Sequence, residues 1–196
     1  MQTGLTIYFV RHGETDWNKV QRYQGQTDVP LNDTGREQAA RNGRVLGEVL
    51  AQDRSVYDFV ASPLERATET MEILRGTMGL DARPFALDDR LKEQNFGHWE
   101  GLVWGELPIL DPEGLAARQA DTWNWLPRGG ENYEMVRVRV NAWLEELTRD
   151  TVVVSHGNIS RAVRGILLGL PPTIVPKLEV PQDKVLRLTG GQAEWL

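Results

Sequence analysis

Three short stretches of this chain gather side chains suited to attacking and holding phosphorus. They are Arg11-His12-Gly13, Ser62-Pro63-Leu64-Glu65-Arg66 and His156-Gly157-Asn158. A neutral imidazole is a competent nucleophile toward phosphorus, and adjacent cations lower its pKa toward that neutral state. Arg11 adjoins His12, and Arg66 lies one turn inside an expected helix start, where it can converge on the same point. Guanidinium groups match phosphate oxygens through paired hydrogen bonds. Helix N-termini after Ser62 and after Gly157 would add backbone donors and the favourable end of a helix dipole. His156 would add a donor for charge that builds on a transferring phosphoryl group. Gly13 is expected to let backbone approach a ligand closely.

The elements that must position these residues follow from hydrophobic patterning. Residues 5–10, 57–61 and 150–155 are short apolar runs rich in β-formers and read as buried strands. A helix capped by Asn32 or Thr34 is expected to run to about Ala51. Ser62 as N-cap, Pro63 at the first helical position and Glu65 closing a capping box predict a second helix, to about Gly76 or Gly79. Helices are also expected over about 132–148 and 158–168, with a short strand near 83–85, an extended piece at Leu91 and an edge-like strand over 184–189. From Phe96 to Arg128 the chain carries Pro108, Pro112, Pro127 and four of its seven tryptophans. This stretch reads as a cap, over about 96–130, inserted into a single domain spanning 1–196. The alternation predicts an α/β three-layer sandwich with a mainly parallel central sheet, helices on both faces and an inserted helical cap. Ligands of such sheets sit outside the carboxyl ends of the strands. That placement turns the three stretches into one candidate site.

Composition narrows the class. Of 196 residues, 40% are hydrophobic and 26% charged, which suits a folded core. The net charge of −6 disfavours nucleic acid and anionic membrane as partners. No window reaches the apolar length of a membrane span. Met1 to Thr6 show no basic-then-apolar pattern, so no secretory leader is expected. The absence of cysteine removes disulfides and thiolate catalysis and is compatible with a cytoplasmic protein. With only three histidines, a zinc site has little support, and His98 reads as a solvated cap residue. A homodimer stays open.

The stretch Arg11-His12-Gly13-Glu14-Thr15-Asp16-Trp17-Asn18 resembles the signature of the histidine phosphatase superfamily, also called phosphoglycerate mutase-like. Four further stretches resemble it in the family's order: Arg22 to Leu31, Ser62 to Thr70, Leu91 to Gly101, and Ser155-His156-Gly157. The resemblance covers nearly the whole chain. It implies a phosphatase that hydrolyses small-molecule phosphate esters through a phosphohistidine. His12 would be the nucleophile; Arg11, Arg66 and His156 would form the phosphate pocket. Glu93 would protonate the leaving oxygen and then activate water, a role the residues alone do not assign over Glu100. Asn18, Gln24, Gly25, Gly157 and Asn158 would line the pocket. No cofactor and no metal is implied, because cationic side chains do the charge work. Trp17 is expected to pack beneath the first loop, and Glu14 to orient Arg11 or that loop.

The family holds hydrolases and mutases. In cofactor-dependent mutases the proton donor is followed by Arg-His-Tyr, with a lysine soon after and paired arginines in the insertion. Here Gln94-Asn95-Phe96 follow Glu93, and the insertion has a lone Arg118 in the matching region. Hydrolysis is therefore the default, with phosphoryl transfer between hydroxyls, or an idle binding protein on this fold, as the alternatives. The cap holds Glu100, Glu106, Asp111, Glu113 and Asp121 against Arg118 and Arg128, which predicts an acidic lid favouring uncharged or aromatic leaving groups. Its tryptophans serve either that purpose or the cap's own core.

Overall fold

The computed structural model describes residues 4–50 and 53–196. Residues 1–3, part of the stretch read for a leader, and Ala51, the expected end of the first long helix, lie outside them. In chain order the elements are β1 (Ile7–Arg11), α1 (Asp16–Lys19), α2 (Asp33–Val49), β2 (Asp58–Ala61), α3 (Glu65–Thr77), β3 (Ala86–Leu87), α4 (Leu107–Leu110), α5 (Pro112–Ala120), α6 (Tyr133–Glu145), β4 (Thr151–Ser155), α7 (Gly157–Leu167), β5 (Val185–Thr189) and β6 (Gln192–Trp195). One six-stranded sheet has the order β3-β2-β4-β1-β5-β6. The first four strands run parallel, while β5 and β6 are antiparallel to their neighbours.

Both faces of the sheet are covered at its centre, which is why β1 and β4 read as continuous apolar runs. Ile7, Phe9, Val153 and Leu186 pack with Val136, Val140 and Trp143 of α6 and Ile159 and Val163 of α7. Tyr8, Val10, Val152 and Val154 point the other way, onto Leu46 of α2 and Ala67, Met71 and Leu74 of α3. The result is the expected three-layer α/β sandwich. Phe96, Trp99, Leu107 and Trp125 form a separate small cluster in the stretch between β3 and α6.

Four local expectations change. Ser62 does not cap α3, which begins at Glu65 with Leu64 as its N-cap and no side-chain cap hydrogen bond. The Ser62 hydroxyl is instead held by a histidine, described below. The strand expected near 83–85 lies at Ala86–Leu87, after a cis Arg83–Pro84 bond, where it meets the end of β2. Leu91 closes a 3₁₀ turn rather than an extended piece. β5 is not the edge strand, because β6 pairs outside it.

Candidate active site

Parallel pairing brings the carboxyl ends of β1, β2 and β4 side by side. The His12 N–H donates to Ser155 O at 2.8 Å and the Ser62 N–H to Val154 O at 3.0 Å, so the ladder continues one residue into each loop. His12 and His156 consequently face each other, with ring centroids 5.1 Å apart. Both are buried, at 3% and 0% exposure, as is Arg66 at 0%.

The proton on His12 is placed by its neighbour. Nδ1 lies 2.7 Å from Gly13 O, an atom that only accepts, so Nδ1 carries the hydrogen and Nε2 keeps its lone pair. Arg66 Nε approaches that Nε2 at 3.3 Å. Arg66 is fixed from behind, donating through Nη1 to Thr27 O at 2.9 Å and through Nη2 to Gly25 O at 2.7 Å. Burial first, then the Arg66 and Arg11 charges, hold the His12 pKa well below its ordinary value. Burial, Arg66 and His12 do the same to His156, whose Nε2 pairs with Ser62 Oγ at 2.7 Å. Arg11 donates through Nη1 to Val180 O at 2.8 Å, and loss of water lowers its pKa to about 10.

Glu93 meets the start of α7. Its Oε1 accepts from the Gln94 N–H at 2.8 Å, and both its oxygens lie 3.3 Å from the Asn158 N–H. A Cβ on Gly157 would stand 3.7 Å from Glu93 Oε2 and 3.8 Å from Arg11 Nε, so three of the sequence-predicted residues converge there. Glu100, the competing carboxylate, is engaged elsewhere. It accepts from the N–H groups of Gln26, Thr27 and Phe96 and from Thr27 Oγ1, and so braces the first loop.

A cleft of about 230 Å³ opens over these groups, lined by Arg11, His12, Asn18, Gln24, Gly25, Arg66, Glu93, Gly157 and Asn158. Of the ten residues singled out from the sequence, only His156 does not line it, although its ring lies beside that of His12. The Asn158 side chain is fully engaged within the protein. Its Oδ1 accepts from Tyr133 Oη at 2.5 Å and Arg161 Nη1 at 2.8 Å, and its Nδ2 donates to Gln94 Oε1 at 2.9 Å. Gly13 does not approach a ligand. A Cβ there would lie 2.2 Å from Gly35 O, so this glycine lets the first loop seat on the start of α2. Glu14 serves the loop rather than Arg11, accepting from Asn32 Nδ2 at 2.9 Å.

Three groups at this site are buried without a hydrogen-bond partner: Arg11 Nε, Gln24 Oε1 and His156 Nδ1. An unpaired buried polar group is destabilising, by roughly 1–3 kcal/mol, and an oxyanion is the ligand that relieves a cationic donor such as Arg11 Nε, though not an acceptor such as Gln24 Oε1. Among the described residues, no cluster of three or more His, Cys, Asp or Glu is arranged to hold a metal.

The family model for the histidine phosphatase superfamily (branch 1) matches residues 7–196. The chain belongs to the histidine phosphatase superfamily. Glucosyl-3-phosphoglycerate phosphatase of Mycolicibacterium vanbaalenii is 34% identical over 84% of this chain and 75% of its own. Phosphoglycerate mutase-like protein 4 of Arabidopsis thaliana is 34% identical over 80% and 68%. Among solved structures, the α-ribazole phosphatase of Shigella flexneri superposes with a TM-score of 0.82 at 26% identity over 98% of this chain and 95% of its own. A native mycobacterial glucosyl-3-phosphoglycerate phosphatase gives 0.79 at 31% over 94% and 89%. As a histidine phosphatase with phosphatase relatives, the chain is a phosphoric monoester hydrolase.

The sequence reading missed several residues of this histidine phosphatase's cleft. Arg22, Tyr23, Phe96, Arg118 and Arg161 also line it. Signals existed: Arg22, Tyr23 and Phe96 lie within stretches that resemble the family, and Arg161 stands three residues after Asn158 on the same helix face. The acidic lid is overturned: Glu93 is the one acid among the lining residues. The cap's carboxylates serve local structure instead. Asp111 caps α5 through the Gly114 N–H and accepts from Trp99 Nε1, Asp121 accepts from the Asn124 N–H, and Glu106 from the Val103 N–H. Two cap tryptophans, Trp99 and Trp125, belong to the cap's own core, with ring centroids 4.2 Å apart.

Proposed function

We propose that His12 is the residue this phosphatase phosphorylates, within one catalytic domain whose cap spans about 96–130. The observation that carries the reading is the His12 tautomer: Nδ1–H on Gly13 O leaves Nε2 as a lone pair beside Arg66. In the first step Nε2 attacks phosphorus, the P–O bond to the alcohol breaks, and Glu93 gives that oxygen a proton. Arg11 and Arg66 stabilise charge on the phosphoryl oxygens, and His156, which does not itself line the cleft, would join them through its unpartnered Nδ1. In the second step Glu93 takes a proton from water, the hydroxide oxygen bonds to phosphorus, and the P–N bond breaks to return neutral His12 and inorganic phosphate. Asn18, Gln24, Gly25, Gly157 and Asn158 shape the cradle, Asn158 chiefly through its N–H.

The outer cleft supports a substrate class. Arg22, Arg118 and Arg161 line it with no balancing acid beyond Glu93, which suits a monoester bearing a second anionic group. Hydrolysis is favoured over mutation by Gln94 and Asn95, whose side chains bond inside the fold, to Glu131 O and the Gly97 N–H, and do not line the cleft. The reading is of a cytoplasmic enzyme for small soluble esters. Among the described residues no helix is long and apolar enough to cross a membrane.

Rapid quenching during turnover should trap acid-labile phosphate on His12, and His12→Asn should trap none. Acid-stable phosphate, or turnover that survives the substitution, defeats the assignment. A substrate panel headed by glucosyl-3-phosphoglycerate, the compound named for the mycobacterial relatives, tests the class.

A further inference from the structure

Glu93 stands on a segment, 92–96, that is neither helix nor strand. A general acid is effective only within hydrogen-bond reach of its target, so its main chain must be held from outside. Arg139 of α6 holds it. Nη1 donates to Arg90 O at 2.5 Å and Nη2 to Glu93 O at 3.1 Å. The same guanidinium meets both carboxylate oxygens of Glu131 at 3.0 Å. Glu131 in turn grips the far side of the segment. Its Oε2 accepts from the Asn95 N–H at 2.9 Å, its backbone N–H donates to Asn95 O at 2.8 Å, and its carbonyl accepts from Gln94 Nε2 at 2.6 Å.

From this geometry we propose that the Arg139–Glu131 pair is a positioning device for the proton donor, setting the Glu93 main chain so that its carboxyl meets the leaving oxygen. This rests on Glu93 as that donor. Side-chain exposures of 17% and 19% make the pair mostly buried, and such pairs add little net stability because desolvation offsets attraction. What the pair supplies is a planar fork able to grip two carbonyls and a carboxylate at once, which an apolar pair of equal volume lacks. The clamp also joins the carboxylate's other support, since Gln94 bonds Asn158, whose N–H faces Glu93.

The test is leaving-group dependence. A nitrophenolate departs without a proton, whereas an alkoxide needs one. The ratio kcat/KM covers only steps up to the first irreversible departure, so the later role of Glu93 as base drops out. For a primary-alcohol phosphate, Arg139→Met should lose about 30-fold or more in kcat/KM, against less than about 3-fold for nitrophenyl phosphate. Arg139→Lys, which keeps the charge and reaches one carbonyl at a time, should recover part of the loss. Equal losses on both esters, or an undiminished alkyl rate in the folded variant, overturn the proposal. If Arg139→Met does not fold, Glu131→Gln carries the same comparison: a split between the esters supports the positioning role, and equal losses overturn it. Glu93→Gln separates the two layers. Without a leaving-group split there, the donor assignment itself fails; with a split there and none in Arg139→Met, only the positioning role does.

Discussion

The carboxyl end of the sheet and the stretch between β3 and α6, the proposed cap, are held by different means. At the sheet end, the first residues of α7 from Gly157 to Ser160 are all buried, and His12 and Ser62 extend the strand ladder itself. In the cap, α5 has no buried residue and α4 has only Leu107. The cap's anchor is the small cluster of Phe96, Trp99, Leu107 and Trp125. Arg118 projects from α5 with its guanidinium 5.3 Å from the Trp104 ring and 5.9 Å from that of Trp125. On the proposed function the chemistry is thus built into the core, while one reader of substrate, Arg118, stands on a lightly anchored layer. Changes in the first should abolish turnover with any ester; changes in the second should sort esters from one another.

The largest effect should come from His12→Asn, which removes the nucleophile and keeps the bond to Gly13 O within reach. Turnover should fall by about 10⁴-fold or more for every ester, read as phosphate release. Arg66→Lys comes next. Lysine cannot reach Thr27 O, Gly25 O and the His12 face together, so kcat should fall by about 10²–10³-fold, again for all esters. A loss confined to acid-bearing esters would break the division between the two layers.

The same division explains what was legible in the sequence. β1, β2 and β4 show as apolar runs because both faces are covered, and their ends locate the site by topology alone. Residues whose role is a long-range contact left no such trace. Arg139 looks like a solvated helix residue until Glu131 and the carbonyls of Arg90 and Glu93 are seen around it. Ser62 carries the signature of a helix cap, yet His156 lies 2.7 Å from its hydroxyl and the tertiary contact wins. The cap misled most, because net charge says nothing about direction. Asp111, Asp121 and Glu106 bond nearby N–H groups away from the cleft, while Arg118 lines it. β6 went unread because its side chains are largely exposed and give no apolar stripe.

The two buried imidazoles give the core a pH signature. Both are held neutral in the fold, with pKa values well below the ordinary 6.5. The unfolded chain therefore binds more protons than the native one below about pH 6.5, and stability rises with pH across that window. It should be fully present above about pH 6.5 and fall as pH drops toward 5, by up to about 1.4 kcal/mol per unit for each histidine. Urea midpoints at pH 7.5, 6.5, 6.0 and 5.5 would show it, and His12→Asn should flatten the slope. An unchanged slope would mean that His12 titrates alike in both states.

The smallest effect, and the sharpest test of the division, is Arg118→Gln. Its guanidinium has two indole rings beside it and no carboxylate partner among the described residues, so its charge is available to a ligand in the cleft. A charge-assisted hydrogen bond to a second anionic group in a solvated cleft is worth about 1.5 kcal/mol, the low end for such bonds, so kcat/KM for an acid-bearing monoester should fall by about 10-fold. Glutamine keeps most of the stem over the tryptophans, so the cap cluster and the rate with neutral aryl phosphates should hold. An equal loss on both kinds of ester would make Arg118 a support of the cap rather than a reader of substrate. Unchanged selectivity would remove the second-anion reading and leave Arg22 and Arg161 as scaffold for the first loop and α7.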